Sequence, residues 1–257
     1  MITDRQKKLI NSIIETYVET AEPVSSKFIG QEYFPGLSSA TIRNEMHSLE
    51  ELGLLTQLHT SGGRVPTDRA YRFYVDELFS TKKFEPAKTV RNKVKETIDA
   101  TEPESRSINK AIAQLVAELS DNLAIANTLE ENDFFKVGLA SLFGSPEFKE
   151  INSIFRITDV FEHFDRMFAQ FEREIFGEFF NTPNHGIKVV IGRENPVQNV
   201  QNETVIFAKY QLPRQQFGSL TVIGPTRMNY EKNLGLIQCV IEEINNKSNN
   251  GTKTKKT

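Results

Sequence analysis

Apolar positions in the first 80 residues repeat with a helical period and fall into short, punctuated blocks. Leu9, Ile10, Ile13, Ile14, Tyr17 and Val18 recur at steps of three and four, the spacing of one helix face. Thr3 and Gln6 stand ahead of them at capping-box spacing, and Pro23 closes the helix. Ser25 or Ser26 caps a second, short helix with Phe28 and Ile29, and Phe34-Pro35-Gly36-Leu37 is a turn. Ser38-Ser39 opens a third helix whose apolar stripe is Ile42, Met46, Leu49 and Leu52, with Gly53 where a helix ends. Leu54–Leu58 and Arg64–Pro66 read as strands around the Thr60-Ser61-Gly62-Gly63 reversal. Thr67 caps a fourth helix carrying Tyr71, Tyr74, Val75 and Leu78.

The pattern then changes. Thr81–Pro103 is charged, with a weak helical period through Val90, Val94 and Ile98. Ser107–Asn127 predicts one helix, with Ile108, Ile112, Leu115, Leu119 and Leu123 on one face. Between Phe134 and Phe180 lie 12 of the 19 phenylalanines. Asp159–Asn181 predicts a helix with Phe161, Phe164, Phe168, Phe171, Ile175 and Phe179 in a stripe that must be buried, in a core or in an interface. Gly186–Gly192, Thr204–Leu212 and Phe217–Gly224 read as strands. A last helix carries Leu234, Ile237, Val240 or Ile241, and Ile244. Asn245–Thr257 has no apolar residue and is expected to be disordered. The expected organisation is α+β: residues 1–78 a winged helix-turn-helix, 79–132 connecting helices, 133–245 an α+β domain, and 246–257 a tail.

Composition narrows the function. With 257 residues, 38% hydrophobic and 25% charged, the chain can bury a core. A net charge of −3 excludes a globally basic nucleic-acid coat, so any such binding must be local. One cysteine, Cys239, excludes an internal disulfide and a cysteine zinc cluster, and a buried, inert thiol is the favoured reading. The charged N-terminus does not read as a leader, and no apolar run approaches the ~18 residues of a membrane span. A soluble, cytoplasmic protein with no membrane partner is expected. His47, His59, His163 and His185 share no metal-binding spacing, and no nucleophile–base constellation is legible, so neither enzyme nor cofactor is expected. Gly224-Pro225-Thr226-Arg227 resembles an anion-binding loop but lacks the lysine and spacing of a P-loop. A strand-to-helix turn is the simpler reading.

Three helices, a strand, a glycine-rich reversal and a second strand describe a winged helix-turn-helix. At 100° per residue, the stripe of the third helix leaves Ala40, Asn44, His47 and Glu51 pointing outward, flanked by Thr41, Arg43 and Ser48. Small side chains at Ser39 and Ala40 let a helix enter a major groove, where Arg43 can read guanine and Asn44 adenine. The helix N-terminus, with Ser38, favours phosphate. Ser25, Ser26 and Lys27 are candidate phosphate contacts. In the wing, His59, Gly62, Gly63 and Arg64 can reach the backbone or minor groove. Residues 1–75 hold eight basic and nine acidic side chains, so charge alone does not distinguish DNA binding from a winged helix used for protein contact.

The stretches Leu37–Met46, Leu49–Leu55, His59–Asp68 and Tyr71–Asp76 resemble the family of the heat-inducible transcription repressor HrcA. So do Gly138–Phe148, Ile191–Asn195 and Ile223–Tyr230. The resemblance implies a homodimeric repressor of heat-shock chaperone operons. It would bind a double-stranded inverted repeat, the CIRCE element, through its winged helices, with a GAF-like C-terminal domain and an inserted dimerising segment. It also implies a second partner, the GroEL chaperonin, which holds the repressor active until heat draws it away. Two departures stand out. Ile125-Ala126-Asn127 is followed almost at once by Asp133-Phe134-Phe135, which implies that much of the insert and part of the sheet are missing. Gly63 stands where the family more often has alanine, a minor change at this level of reading. A GAF-like domain also permits an alternative: a regulator that senses a small molecule in its C-terminal sheet.

Overall fold

The computed structural model describes residues 2–58, 62–81, 84–129, 131, 133–171 and 186–253. His59, Thr60, Ser61, Ile175, Phe179 and His185 lie outside the described residues. Two units form: Met1–Thr81 with Thr226–Asn229, and Lys82–Pro225 with Tyr230–Thr257.

In the first unit, α1 (Asp4–Thr20) starts at the Thr3–Gln6 capping box: Gln6 N–H donates to Thr3 Oγ1 at 3.2 Å and Thr3 N–H to Gln6 Oε1 at 3.0 Å. Its buried face is Leu9, Ile10, Ile13 and Ile14, and it ends at Ala21 in the left-handed region. Ser25 caps α2 (Ser26–Tyr33), and Ser38 caps α3 (Ser39–Glu51) by accepting from Thr41 N–H at 3.1 Å. Ile42, Met46 and Leu49 are buried, but Leu52, expected in the stripe, is 41% exposed. It sits past the end of α3, where Gly53 takes φ +70° and turns the chain away. Strands β1 (Leu55–Gln57) and β2 (Arg64–Pro66) pair antiparallel, and α4 (Asp68–Thr81) buries Tyr71, Tyr74, Val75 and Leu78.

Among the described residues, the second unit is a five-stranded antiparallel sheet with helices on both faces. Its strands are β3 (Leu123–Thr128), β4 (Phe134–Val137), β5 (Ile187–Ile191), β6 (Glu203–Gln211) and β7 (Phe217–Pro225), in the order β4-β3-β7-β6-β5. One face carries Leu123, Ile125, Val190, Val205, Phe207 and Ile223. It packs against a core that includes Phe148, Ile157, Val160, Phe164, Phe168 and Phe171. These residues come largely from α8 (Ile151–Glu162) and α9 (Phe164–Phe171), which follow the short α7 (Leu139–Leu142). The phenylalanine stripe is therefore core where it is described, and it is split into two helices at His163. The opposite face offers the small side chains Ala124, Ala126 and Ala208 towards α6 (Ser105–Ser120) and α10 (Tyr230–Lys253). There Tyr210 Oη donates to Asn109 Oδ1 at 2.6 Å.

This architecture is the expected GAF-like α+β arrangement, with three differences in detail. The helix read over Ser107–Asn127 ends at Ser120, where Asp121 adopts φ +58°, and Leu123–Thr128 becomes a strand hydrogen-bonded on both sides. Being buried on both faces, that strand lacks alternation, and Leu-Ala-Ile-Ala reads equally well as helix. Its place beside β4 and β7 adds to the sheet a strand that the sequence reading missed. Second, residues 79–132, read as connecting helices, hold α5 (Lys88–Ala100), α6 and β3, and from Lys82 onward they belong to the sheet's unit. Third, α10 runs to Lys253, through the stretch expected to be disordered. Asn245 Oδ1 accepts from Gln211 N–H at 2.8 Å, and Ser248 Oγ donates to Gln211 C=O at 2.9 Å. Lys247 Nζ donates to the C=O groups of Ile98 and Thr101 at the end of α5. Such polar docking leaves no mark in a hydropathy pattern.

Candidate nucleic-acid interface

The two N-caps leave free backbone N–H groups at the starts of α2 and α3, the first-turn donors that a helix cannot use internally. Ser25 Oγ accepts from Phe28 N–H at 3.2 Å, which leaves its hydroxyl proton free to donate. Ser38 Oγ and Thr41 Oγ1 lie 2.9 Å apart, so Thr41 is occupied locally and half-buried. Ser39, Ala40, Arg43, Asn44 and His47 are exposed on α3, and Lys27 is exposed on α2.

Tertiary structure brings six of the sequence-predicted residues together. Ser25, Ser26, Arg43, Gly62, Gly63 and Arg64 line an open cleft of about 350 Å³ with Val24, Met46 and Gln57. Sequence reasoning missed those last three. Met46 registers only as a core position of α3. Gln57 is a β1 residue whose Nε2 donates to Gly62 C=O at 3.3 Å and supports the wing. Val24 enters because its N–H and C=O pair with Arg64 C=O and N–H, both at 2.9 Å. No local pattern announces that bridge, which joins the loop before α2 to the wing.

The bridge changes the meaning of Gly63. A Cβ there would stand 2.6 Å from Pro23 C and O and from Val24 O, all backbone atoms. In this chain alanine at 63 is not a minor change, because the wing packs too closely against the Pro23-Val24 segment. Gly63→Ala should cost about 1–3 kcal/mol, the usual effect of overpacking. Thermal unfolding is the check, and an unchanged midpoint would contradict the close packing.

Electrostatics singles out part of this surface. Arg5 pairs with Glu45, Lys7 with Glu77 at 3.0 Å, Arg72 with Asp76 at 3.4 Å and Arg64 with Glu50 at 3.0 Å. Lys8 lies over the Phe34 ring, and Arg69 donates to Leu52 C=O at 2.9 Å. Among the described residues, Lys27 and Arg43 are the two of the eight cations in residues 1–75 with no such partner. Both are exposed, on α2 and on α3. The other end of α3 is acidic: His47 lies 3.7 Å from Glu50 and from Glu51. Arg64, expected to face phosphate, has a side chain only 15% exposed and turned back onto Glu50.

The remaining candidates have structural uses. Arg227 of the loop after β7 donates to Val18 C=O at 2.9 Å. Cys239 is buried, and burial pushes its thiol pKa up. Among the described residues no group of three or more His, Cys, Asp or Glu is placed to hold a metal, and no helix is long and apolar enough to cross a membrane.

Comparison with known proteins agrees with this geometry. Residues 1–78 match the profile of the winged helix-turn-helix transcription repressor, HrcA DNA-binding, and residues 69–234 match that of the HrcA protein C terminal domain. Among curated relatives, the heat-inducible transcription repressor HrcA of Lachnoclostridium phytofermentans is 27% identical over 343 aligned residues, covering 96% of this chain and 99% of the relative. That of Clostridium acetobutylicum is 26% identical (95% and 96% covered), and that of Bacillus pumilus 25% identical (97% and 99%). The 343 aligned positions exceed the 257 residues here, so the relative carries segments this chain lacks. A crystal structure of a hypothetical protein shares the fold, with a TM-score of 0.76 at 19% identity over 97% of this chain and 99% of that one. The chain belongs to the HrcA family of heat-inducible transcription repressors, which carry a winged-helix DNA-binding domain and are not enzymes.

Proposed function

We propose that this protein is a cytoplasmic, homodimeric repressor of chaperone operons that binds a CIRCE-type inverted repeat, one winged helix per half-site. The N-terminal half of α3 enters the major groove. Arg43 and Asn44 reach base edges, His47 lies behind them, and small Ser39 and Ala40 allow close approach. Ser25, Ser26 and Lys27, at the start of α2, hold phosphate, and the Gly62-Gly63 wing lies against the flanking backbone. GroEL modulation enters with the family resemblance and has no residue assigned to it.

One observation carries the reading. In a domain whose charges nearly cancel, the two cations left without a partner among the described residues, Lys27 and Arg43, are both exposed on the helices of the recognition motif. A sequence-specific binder with little general affinity needs that economy. One face of the sheet is filled by Phe164, Phe168 and Phe171 and leaves a small-molecule ligand no place there, so the operator reading is preferred.

Arg43→Ala should lose about 1–3 kcal/mol against an inverted-repeat duplex and relax preference at one base position per half-site. Electrophoretic titration against single-position operator variants measures both effects, and sizing of the complex should give two chains per duplex. Wild-type affinity in the variant would remove Arg43 from the interface. One chain per duplex would remove the dimer.

A further inference from the structure

The carboxylate of Glu50 is placed between α3 and the wing. Its Oε2 accepts from Arg64 Nε at 3.0 Å and lies 3.0 Å from the Arg64 terminal nitrogen. Arg64 is therefore held at both ends. Its backbone is locked to Val24 and paired in register with Gln57, and its side chain is folded onto the recognition helix. Helix stability does not explain the acidic partner. Glu50 and Glu51 occupy the last turn of α3, the negative end of the helix dipole, where a cation would be favoured.

We infer that Glu50 is a specificity-determining residue: it withholds Arg64 from phosphate, so that the wing docks on DNA without adding sequence-independent attraction. This rests on the operator reading above. A phosphate contact strengthens binding to every duplex alike and steepens its salt dependence, which lowers discrimination against the excess of non-operator DNA. Moving Arg64 to a phosphate would break its charge-assisted hydrogen bond to Glu50 and the ion pair it belongs to. It would also leave the Glu50 carboxylate unneutralised near the nucleic-acid backbone. The pair thus keeps the ionic part of binding on Lys27, Arg43 and the helix N-termini, beside the groups that read sequence.

The test uses the full-length protein with two fluorescent duplexes, one carrying the inverted repeat and one a scrambled sequence of equal length and composition, titrated across a range of KCl concentrations. Glu50→Gln should tighten binding to the scrambled duplex about five- to tenfold at low salt. The slope of log affinity against log salt should steepen by roughly 0.9 for each phosphate gained, and the preference for the inverted repeat should fall. Arg64→Ala in the wild-type background should leave the scrambled-duplex slope unchanged, and combined with Glu50→Gln it should restore the wild-type slope. If Glu50→Gln leaves the slope unchanged, or Arg64→Ala alone makes it shallower, the role of the pair is overturned. If the wild type binds both duplexes equally, the operator reading itself is overturned.

Discussion

Replacing Arg156 by alanine should destabilise the C-terminal unit by about 3–5 kcal/mol, the usual consequence of leaving a buried charge without its partner. Arg156 projects from α8, and its guanidinium donates to Glu203 Oε1 at 2.7 Å. Glu203 opens β6 with its side chain 2% exposed. Burial raises its pKa above the usual carboxylate value, and the hydrogen bond and charge of Arg156 pull it back down. Without Arg156, only the backbone hydrogen bond from Asn202 still opposes the upward push of burial. The sign follows from linkage. A carboxyl with a raised folded-state pKa takes up protons on folding, so its stability contribution is present below the unfolded value near 4.5 and is lost as pH rises through the folded value. The deficit of Arg156→Ala should therefore be large at pH 7 and shrink towards pH 5. Glu203→Gln in the same background should recover part of it, since an amide does not carry the charge. Urea unfolding at the two pH values is the measurement. A loss below 1 kcal/mol, or one independent of pH, would mean that Glu203 is neutral in the native protein.

Ala40→Glu separates folding from function by sending them in opposite directions. Ala40 is exposed in the first turn of α3, where a carboxylate suits the positive end of the helix dipole, so stability should hold or rise by about 0.3–1 kcal/mol. Operator affinity should nevertheless fall about 100-fold or more, equivalent to roughly 2.7 kcal/mol. Bulk and negative charge would replace a methyl group on the surface proposed to meet the DNA, and like charges juxtaposed across an interface cost several kcal/mol. Thermal melting and anisotropy on the same sample decide the matter. A folded variant that binds within threefold of wild type would place the DNA elsewhere.

Where periodicity was clean and capping local, the sequence read true. Thr3, Ser25 and Ser38 cap the helices expected of them, and Ile42, Met46 and Leu49 bury the expected face of α3. Difficulty arose where burial comes from both sides or where contacts are polar. Leu123–Thr128 carries no alternation to mark it as a strand. The polar stretch from Asn245 hides hydrogen bonds to Gln211 and, through Lys247, to the end of α5. The candidate interface shows the same division. Which side chains face out along α3 follows from 100° per residue. That Gln57 and Val24 share a cleft with Arg43 does not, because the bridge between Val24 and Arg64 joins segments 40 residues apart.

By itself, the chain's order of residues determined the winged-helix pattern, the exposed polar edge of α3 and the family, because each depends on spacing within one element or on short motifs. Only the tertiary structure decided that Arg64 is held by Glu50 while Lys27 and Arg43 stay open, that Gly63 has no room for a methyl group, and that Leu123–Thr128 is a strand between β4 and β7. Those outcomes depend on which distant segments meet, and a carboxylate, a backbone carbonyl or a neighbouring strand acts only at contact distance.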